Sequence, residues 1–467
     1  MRTKRRVVPT RQIAITVFVV GLNLFAQPLQ AAQPTSAVNS GCRVENTDYK
    51  GWHAQRISNS WLQLIVVPQN GGRLMQVVFN GHEYLFVNTK LAGKYMPPSE
   101  DQWFNYGGDK IWLLPEGNDD EQHWRGNSDL LDDGPFTFRL ISDAKACGIE
   151  LTSPPDPRTG IQISRTIELG PDSPHVAFHA TMKNVSGHPV EWSMQSVSQY
   201  NTANPTDPSR SNRDIWAFTP TNPQSAYLNS YHVRFGPAEN PAATVRDDGF
   251  FSVHYAPLAT EFWIDSTAGW VAVVDGTSRY AMVEKFRYEE SKTYPGKASV
   301  IFWTNGPEVH LSSDGVASLS HESDDASPFY MEAEINSPMC RLRPGETCQL
   351  ETDWFPTRAD SEFHGVTDAG IVTKPLRALA LENGKVKLSG SFGVFFSGKL
   401  VAHFYNDHGS YIGNVPLSEV SPTELVQLDM EATPQGKATR VSLHLEDSSG
   451  LDRGSLQEIP ISRKSAE

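Results

Sequence analysis

Residues 329–355 read FYMEAEINSPMCRLRPGETCQLETDWF. Pro344-Gly345 lies between two apolar runs, which is turn chemistry, so the segment is predicted to be two β-strands joined at that turn. Strand side chains repeat every two residues, which puts Glu332 and Glu334 on one face. Their α-carbons are expected roughly 7 Å apart at the rise of a strand. Charged residues are mostly exposed, so one reading is a solvated strand face with incidental acids. The other is a carboxylate pair at the mouth of a sugar site, because bulky Phe329, Tyr330 and Met331 stand beside the acids.

The same rhythm extends through the chain. From Trp61 onward short apolar runs alternate with Gly, Pro, Asn and Asp: 62–67, 74–79, 136–141, 161–169, 176–182, 190–197, 261–264, 269–274, 300–303 and 329–335. Alternation is plain in Ile161-Gln162-Ile163-Ser164-Arg165-Thr166-Ile167. No segment has a long apolar period of 3.6, so the fold class is all-β. Many strands over residues 45–356 imply one large sandwich of antiparallel sheets packed face to face. Residues 201–250, rich in Asn, Pro, Ser, Asp and Arg, are expected to be an irregular excursion. Residues 357–372 read as a linker. Residues 373–467 carry further short strands, suited to a small immunoglobulin-like β-sandwich.

At 467 residues the chain exceeds what one core usually holds. Its first 31 residues combine Arg2, Lys4, Arg5, Arg6 and Arg11 with an apolar run from Ile13 to Ala26 and a small-residue cleavage site at Leu29-Gln30-Ala31. That is the pattern of an export signal, too short for a bilayer span. Residues 32–44 then form a linker, and Cys42 lacks the aliphatic context of a lipid anchor, so no stable membrane anchor is expected. Removing the signal takes away five basic and no acidic residues, moving the formal charge from −14 to about −19. So acidic a chain has no electrostatic footprint for nucleic acid. The expected location is periplasmic or secreted, and the oligomeric state is left open.

Four cysteines in an exported chain suggest disulfides with three connectivities. Cys340 and Cys348 flank Pro344-Gly345 symmetrically and are expected to face each other across a hairpin, leaving Cys42 with Cys147. No metal or cofactor is expected. Zinc-ligand spacing is absent, and Asp119-Asp120-Glu121 with Asp132-Asp133 lacks a calcium-loop pattern and reads as a solvated loop. There is no phosphate-cradling loop, dinucleotide fingerprint or Gly-x-Ser-x-Gly elbow.

The loop from Trp103 to Trp124 is the richest in candidate ligand groups. Trp103, Trp112 and Trp124 offer flat faces to the C–H side of a sugar ring, while Asn105, Asp109, Lys110 and Glu116 can hydrogen-bond hydroxyls. Lys110 could also pair with a sugar carboxylate. Gly107-Gly108 permits close backbone approach to something. Tryptophans that simply fill the core are the competing reading.

Several of these stretches resemble the galactose mutarotase (aldose 1-epimerase) superfamily over about residues 45–356. The late strand with Glu332 and Glu334, then Pro338, Leu342-Arg343-Pro344-Gly345-Glu346 and Leu350 to Trp354, resembles its C-terminal end. Pro68-Gln69-Asn70-Gly71-Gly72-Arg73 with Val77 to Leu85 resembles its opening hairpin. Asn105-Tyr106-Gly107-Gly108-Asp109-Lys110-Ile111-Trp112-Leu113-Leu114-Pro115, with Phe286 and Tyr294-Pro295-Gly296, is similar to the DUF4380 branch. The resemblance implies a carbohydrate ligand and a strand glutamate, Glu334 or Glu332, as base. Mutarotation also needs an acid on the ring oxygen, a role that histidines fill in the family. Here Tyr106 precedes Gly107-Gly108, and Gln195 and Gln199 stand where a histidine is expected. Tyr106, Tyr200, His232 or His254 are the candidate substitutes. The expected substrate-binding set is Asn105, Tyr106, Asp109, Lys110, Trp112, Trp103 and Gln199. Three functions follow: a mutarotase-like protein acting on sugar anomers or sugar acids, a non-catalytic carbohydrate-binding protein, and a polysaccharide lyase or glycosidase.

Overall fold

The computed structural model describes residues 41–98, 104–117, 123–124, 130–306, 309–311, 317–319 and 329–463. The export-signal reading, Trp103 and Asp119-Asp120-Glu121 lie outside them. No α-helix occurs among the described residues, and none of their helices is long and apolar enough to cross a membrane.

Two large antiparallel sheets make the main body. The first runs in the order Arg43–Tyr49, Trp52–Ser58, Leu62–Val67, Arg73–Phe79, Asp109–Leu114, Val190–Asn201, Tyr330–Asn336, Val300–Thr304, Thr260–Ile264, His232–Phe235. The second runs Ala243–Val245, Phe250–His254, Ile215–Pro220, Trp270–Asp275, Tyr280–Phe286, Thr347–Arg358, Val176–Asn184, Ile161–Leu169, Cys147–Thr152, Thr137–Ser142. Alternation decides which residues fill the space between them. In Ile161–Leu169 every second residue is buried, and Met331, Ala333 and Ile335 enter the same core as Phe178, Met282 and Trp354 of the facing sheet. Each such aliphatic or aromatic side chain contributes about 1.5–3 kcal/mol by leaving water.

The decisive stretch does not form the expected hairpin. Tyr330–Asn336 and Cys340–Leu342 both pair with Val190–Asn201, whereas Thr347–Arg358 pairs with Val176–Asn184 in the opposite sheet. The turn at Arg343–Glu346 is therefore an arch between sheets. Asn184 holds it, donating its side-chain amide to Leu342 O at 3.0 Å and accepting at its backbone carbonyl from Gly345 N–H at 2.9 Å. Both disulfides form with the expected partners, Cys42–Cys147 and Cys340–Cys348. The second joins the two sheets rather than the arms of one hairpin, its α-carbons 6.4 Å apart.

Residues 201–250 are also more regular than expected. They contribute Ile215–Pro220 and Ala243–Val245 to the second sheet and His232–Phe235 to the edge of the first. Their Pro and Asn residues sit at the turns, where a composition reading sees only the punctuation.

Beyond Arg358 a five-stranded and a four-stranded sheet enclose a separate cluster containing Leu388, Phe392, Leu400, Phe404, Leu428 and Leu443. This pair meets the second large sheet through stacked rings. Phe218 lies 4.3 Å from Phe363, and Phe355 lies 4.8 Å from Phe395, between ring centroids.

Candidate functional site

The face of the first sheet turned away from the core collects the polar side chains. Across the register Gln199 is opposite Glu332, which is opposite Trp303, which is opposite Glu261. One step along, Lys110 is opposite Val197, and Val197 is opposite Glu334. Trp112 is opposite Gln195. Directly opposed residues share a face, so five strands place Lys110, Trp112, Gln195, Gln199, Glu332, Glu334, Trp303, Glu261 and Trp263 together.

Short hydrogen bonds hold the carboxylates. Gln199 Nε2 donates to Glu332 Oε1 at 2.7 Å, and Gln195 Nε2 donates to Glu334 Oε2. Glu261 Oε1 accepts from Trp263 Nε1 at 2.6 Å and from Arg234 Nη1 at 3.2 Å. Arg234 also reaches Glu116, at 3.9 Å. On the other flank the Lys110 Nζ sits 4.1 Å from the centroid of the Trp112 ring. The Trp112 indole donates to Asp132 at 2.8 Å, and Asp132 together with Asp133 takes the Arg73 guanidinium at 2.7 and 3.3 Å. Glu332 and Glu334 are only 8 % and 7 % exposed.

Burial and like charge shape the protonation of this face. Burial raises Glu334 well above the usual carboxylate range, and Glu332, Glu261 and Glu116 push the same way, with Lys110 opposing them. Glu332 is also raised by burial, but Lys110 and the Gln199 amide oppose the shift directly. Glu116 is pushed up to about 7 by burial and by Glu261. Lys110 is lowered by burial, with Asp132 and Glu332 favouring its charged form. Two carboxylates on one strand thus sit in unequal environments, Glu332 beside a cation and Glu334 beside other acids.

Of the expected residues, Lys110, Trp112, Gln199, Glu332 and Glu334 come together. Asn105 lies against the Tyr330 phenol, and its Oδ1 accepts from Gly107 N–H at 3.1 Å. Asp109 does not join them. It points into the core, where it pairs with Arg165 and accepts from Ser198 at 3.2 Å. Tyr106 is fully buried in an apolar cluster with Trp52, and its hydroxyl accepts from Met96 N–H at 2.8 Å. Tyr200 faces the core and donates to Glu284 at 2.5 Å. His254 belongs to the second sheet, and His232 is exposed on the edge strand beside Trp263. Trp124 is fully buried, edge-on to Trp112. The close approach permitted by Gly107-Gly108 is to protein backbone: a Cβ at Gly107 would strike Phe86 O, and one at Gly108 would come within 2.6 Å of Leu74 O. Both have positive φ, 90° and 77°.

Sequence reasoning missed Glu261, Trp263, Trp303, Arg234, Arg73 and the ligand-like position of Gln195. Alternation in Thr260-Glu261-Phe262-Trp263-Ile264 was the available signal for the first two. Nothing local pointed to Arg234, which lies in the stretch read as irregular. Among the described residues no group of three or more His, Cys, Asp or Glu is arranged to hold a metal.

No family model matches the chain, and no curated protein does. The resemblance to the DUF4380 branch therefore rests on its residues alone. Solved structures similar to the chain include a TPR-domain containing protein from Parabacteroides distasonis, with 15% identity and a TM-score of 0.43. That match covers 68% of this chain and 48% of the other, so the chain spans about half the length of that protein. A galactose mutarotase-like protein from Clostridium acetobutylicum matches at 11% identity and TM-score 0.42, over 68% of this chain and 99% of its own. Another galactose mutarotase-like protein, from Lactobacillus casei, matches at 12% and 0.42, over 65% and 99%. Likenesses this distant say nothing of activity, which has to come from the side chains.

Proposed function

We propose that the chain is an exported, mutarotase-like carbohydrate-binding protein that exchanges sugar anomers on the polar face of its first sheet. The observation that carries this reading is the pair Glu332 and Glu334, held by Gln199 and Gln195 among Trp112, Trp263 and Trp303. Indoles suit the apolar side of a pyranose, and fixed carboxylates suit its hydroxyls.

Anomer exchange needs one group to take the proton of the anomeric hydroxyl and another to protonate the ring oxygen. Both oxygens are bonded to the same carbon, so an acid and a base on one strand can reach them from one side. Unequal environments divide the roles. Glu332, beside Lys110 and Gln199, is the base, and Glu334, raised by Glu332, Glu261 and Glu116, is the acid. Glu332 takes the O1 proton, Glu334 gives its proton to O5, and the C1–O5 bond opens to the aldehyde. Rotation about C1–C2 and the reverse transfers close the other anomer. This supplies the acid without a histidine.

NMR of a freshly dissolved single anomer of glucose or galactose tests the reading. Faster anomer exchange with the protein than without it is expected. Binding without faster exchange would favour the non-catalytic alternative. A glycosidase is disfavoured because both acids project from one strand and cannot flank a bond.

A further inference from the structure

The face that holds Glu332 and Glu334 carries more negative charge than it can neutralise internally. Six carboxylates, Glu116, Asp132, Asp133, Glu261, Glu332 and Glu334, act on one another across it. Three cations, Arg73, Lys110 and Arg234, stand among them. Each cation is already committed: Arg73 lies against Asp132 and Asp133, Arg234 between Glu116 and Glu261, and Lys110 between Asp132, Glu332 and the Trp112 ring. With Glu334 protonated as the acid of the exchange, five carboxylates face three cations and a surplus of two remains.

A second, independent observation says what kind of group is wanted. Gln199 is fully buried, its Nε2 is spent on Glu332, and its Oε1 has no hydrogen-bond partner among the described residues. An orphaned buried acceptor is unfavourable until a donor reaches it. The sequence expectation that Lys110 receives a sugar carboxylate runs against both observations, since an incoming carboxylate would add to that surplus and bring no donor.

We propose that this face selects a cationic amino sugar, a pyranose with a free ammonium group, the ammonium donating to Gln199 Oε1 and lying against the Glu332 carboxylate. An ammonium brings three donors and one positive charge, so it answers the orphaned acceptor and the charge surplus together. Indole faces at Trp112, Trp263 and Trp303 serve the rest of the ring. The inference rests on the carbohydrate reading above and sharpens it to a ligand class.

Isothermal titration calorimetry with the full chain tests it, using D-glucosamine, N-acetyl-D-glucosamine, D-glucose and D-glucuronate at a pH where the free amine is protonated. Glucosamine should bind about tenfold tighter than glucose or its N-acetyl derivative, the difference expected for charge-assisted hydrogen bonds, and glucuronate should bind weakest. Equal affinity for glucose and glucosamine, or a preference for glucuronate, would overturn the proposal while leaving a sugar site in place. Failure of all four to bind would overturn the carbohydrate reading itself, and this proposal with it. Glu116→Gln, at a partly exposed position, should lower the ratio of glucosamine to glucose affinity by up to about threefold at neutral pH, by removing the part of a charge held by a carboxyl pushed up to about 7. An unchanged ratio would argue that the surplus charge does not select the ligand. Gln199→Met should lower the same ratio further, and a ratio untouched by both changes sinks the idea.

Discussion

Asp109 and Lys110 are adjacent in sequence and point to opposite faces of one sheet. Asp109 enters the core and pairs with Arg165 of the facing sheet, while Lys110 emerges among Glu332, Asp132 and Trp112. One residue therefore belongs to stability and its neighbour to the site. Asp109→Ala should destabilise the fold by about 3–5 kcal/mol, because it strands a buried guanidinium. Chemical denaturation measures this, and sugar affinity of the folded fraction should be unchanged. A large loss of affinity at wild-type stability would place Asp109 in the site after all.

The two glutamates should separate binding from turnover. Glu334→Gln is expected to keep sugar affinity within about tenfold, since an amide preserves most of the hydrogen-bonding capacity. It should lower any anomer-exchange rate by about 10²–10⁴, the usual size of a lost general acid or base. Glu332→Gln should do the same. Full exchange activity in either variant would remove that residue from the proton-transfer pair.

Glu284 gives the sandwich a pH dependence of defined sign. Burial pushes it up to about 8, with the Tyr200 hydroxyl hydrogen-bonded to it. The folded state then holds a proton that the unfolded chain releases near the ordinary glutamate range. Stability from this group is complete below that range, falls as pH rises toward about 8, and levels off above it. The slope between those limits approaches about 1.4 kcal/mol per pH unit. Glu284→Gln, which mimics the protonated form, should flatten denaturation midpoints measured between these pH values. An equally steep profile in the variant would assign the dependence to another group.

The disulfides should contribute unequally. Cys42–Cys147 spans a sequence separation of 105, and Cys340–Cys348 one of 8. Chain entropy alone expects about 4.8 kcal/mol from the first and about 2.5 kcal/mol from the second. Paired Cys→Ala variants compared by urea denaturation check this. The second removal should also loosen the arch from Leu342 to Glu346, seen as faster hydrogen exchange at Gly345, whose N–H now bonds Asn184 O.

The sequence by itself determined the all-β class, because the period of two in stretches such as Ile161–Leu169 is a local property of consecutive residues. It also determined which residues share a face within one strand, so Glu332 with Glu334 and Gln195 with Gln199 were legible from parity alone. The cysteine partners were legible too, although for a mistaken reason: the two strands flanking Pro344-Gly345 lie in different sheets. Which strands lie side by side was decided only in three dimensions. Glu332 meets Gln199, Lys110 and Glu261 across sequence separations that no local pattern encodes, and the same register sends Asp109 and Tyr200 into the core, away from the face where their spacing suggested they belonged. Charge balance followed from that assembly. Lys110 looked in the sequence like a receptor for an anion, and it became a cation outnumbered by acids only when distant strands brought their carboxylates onto one buried face.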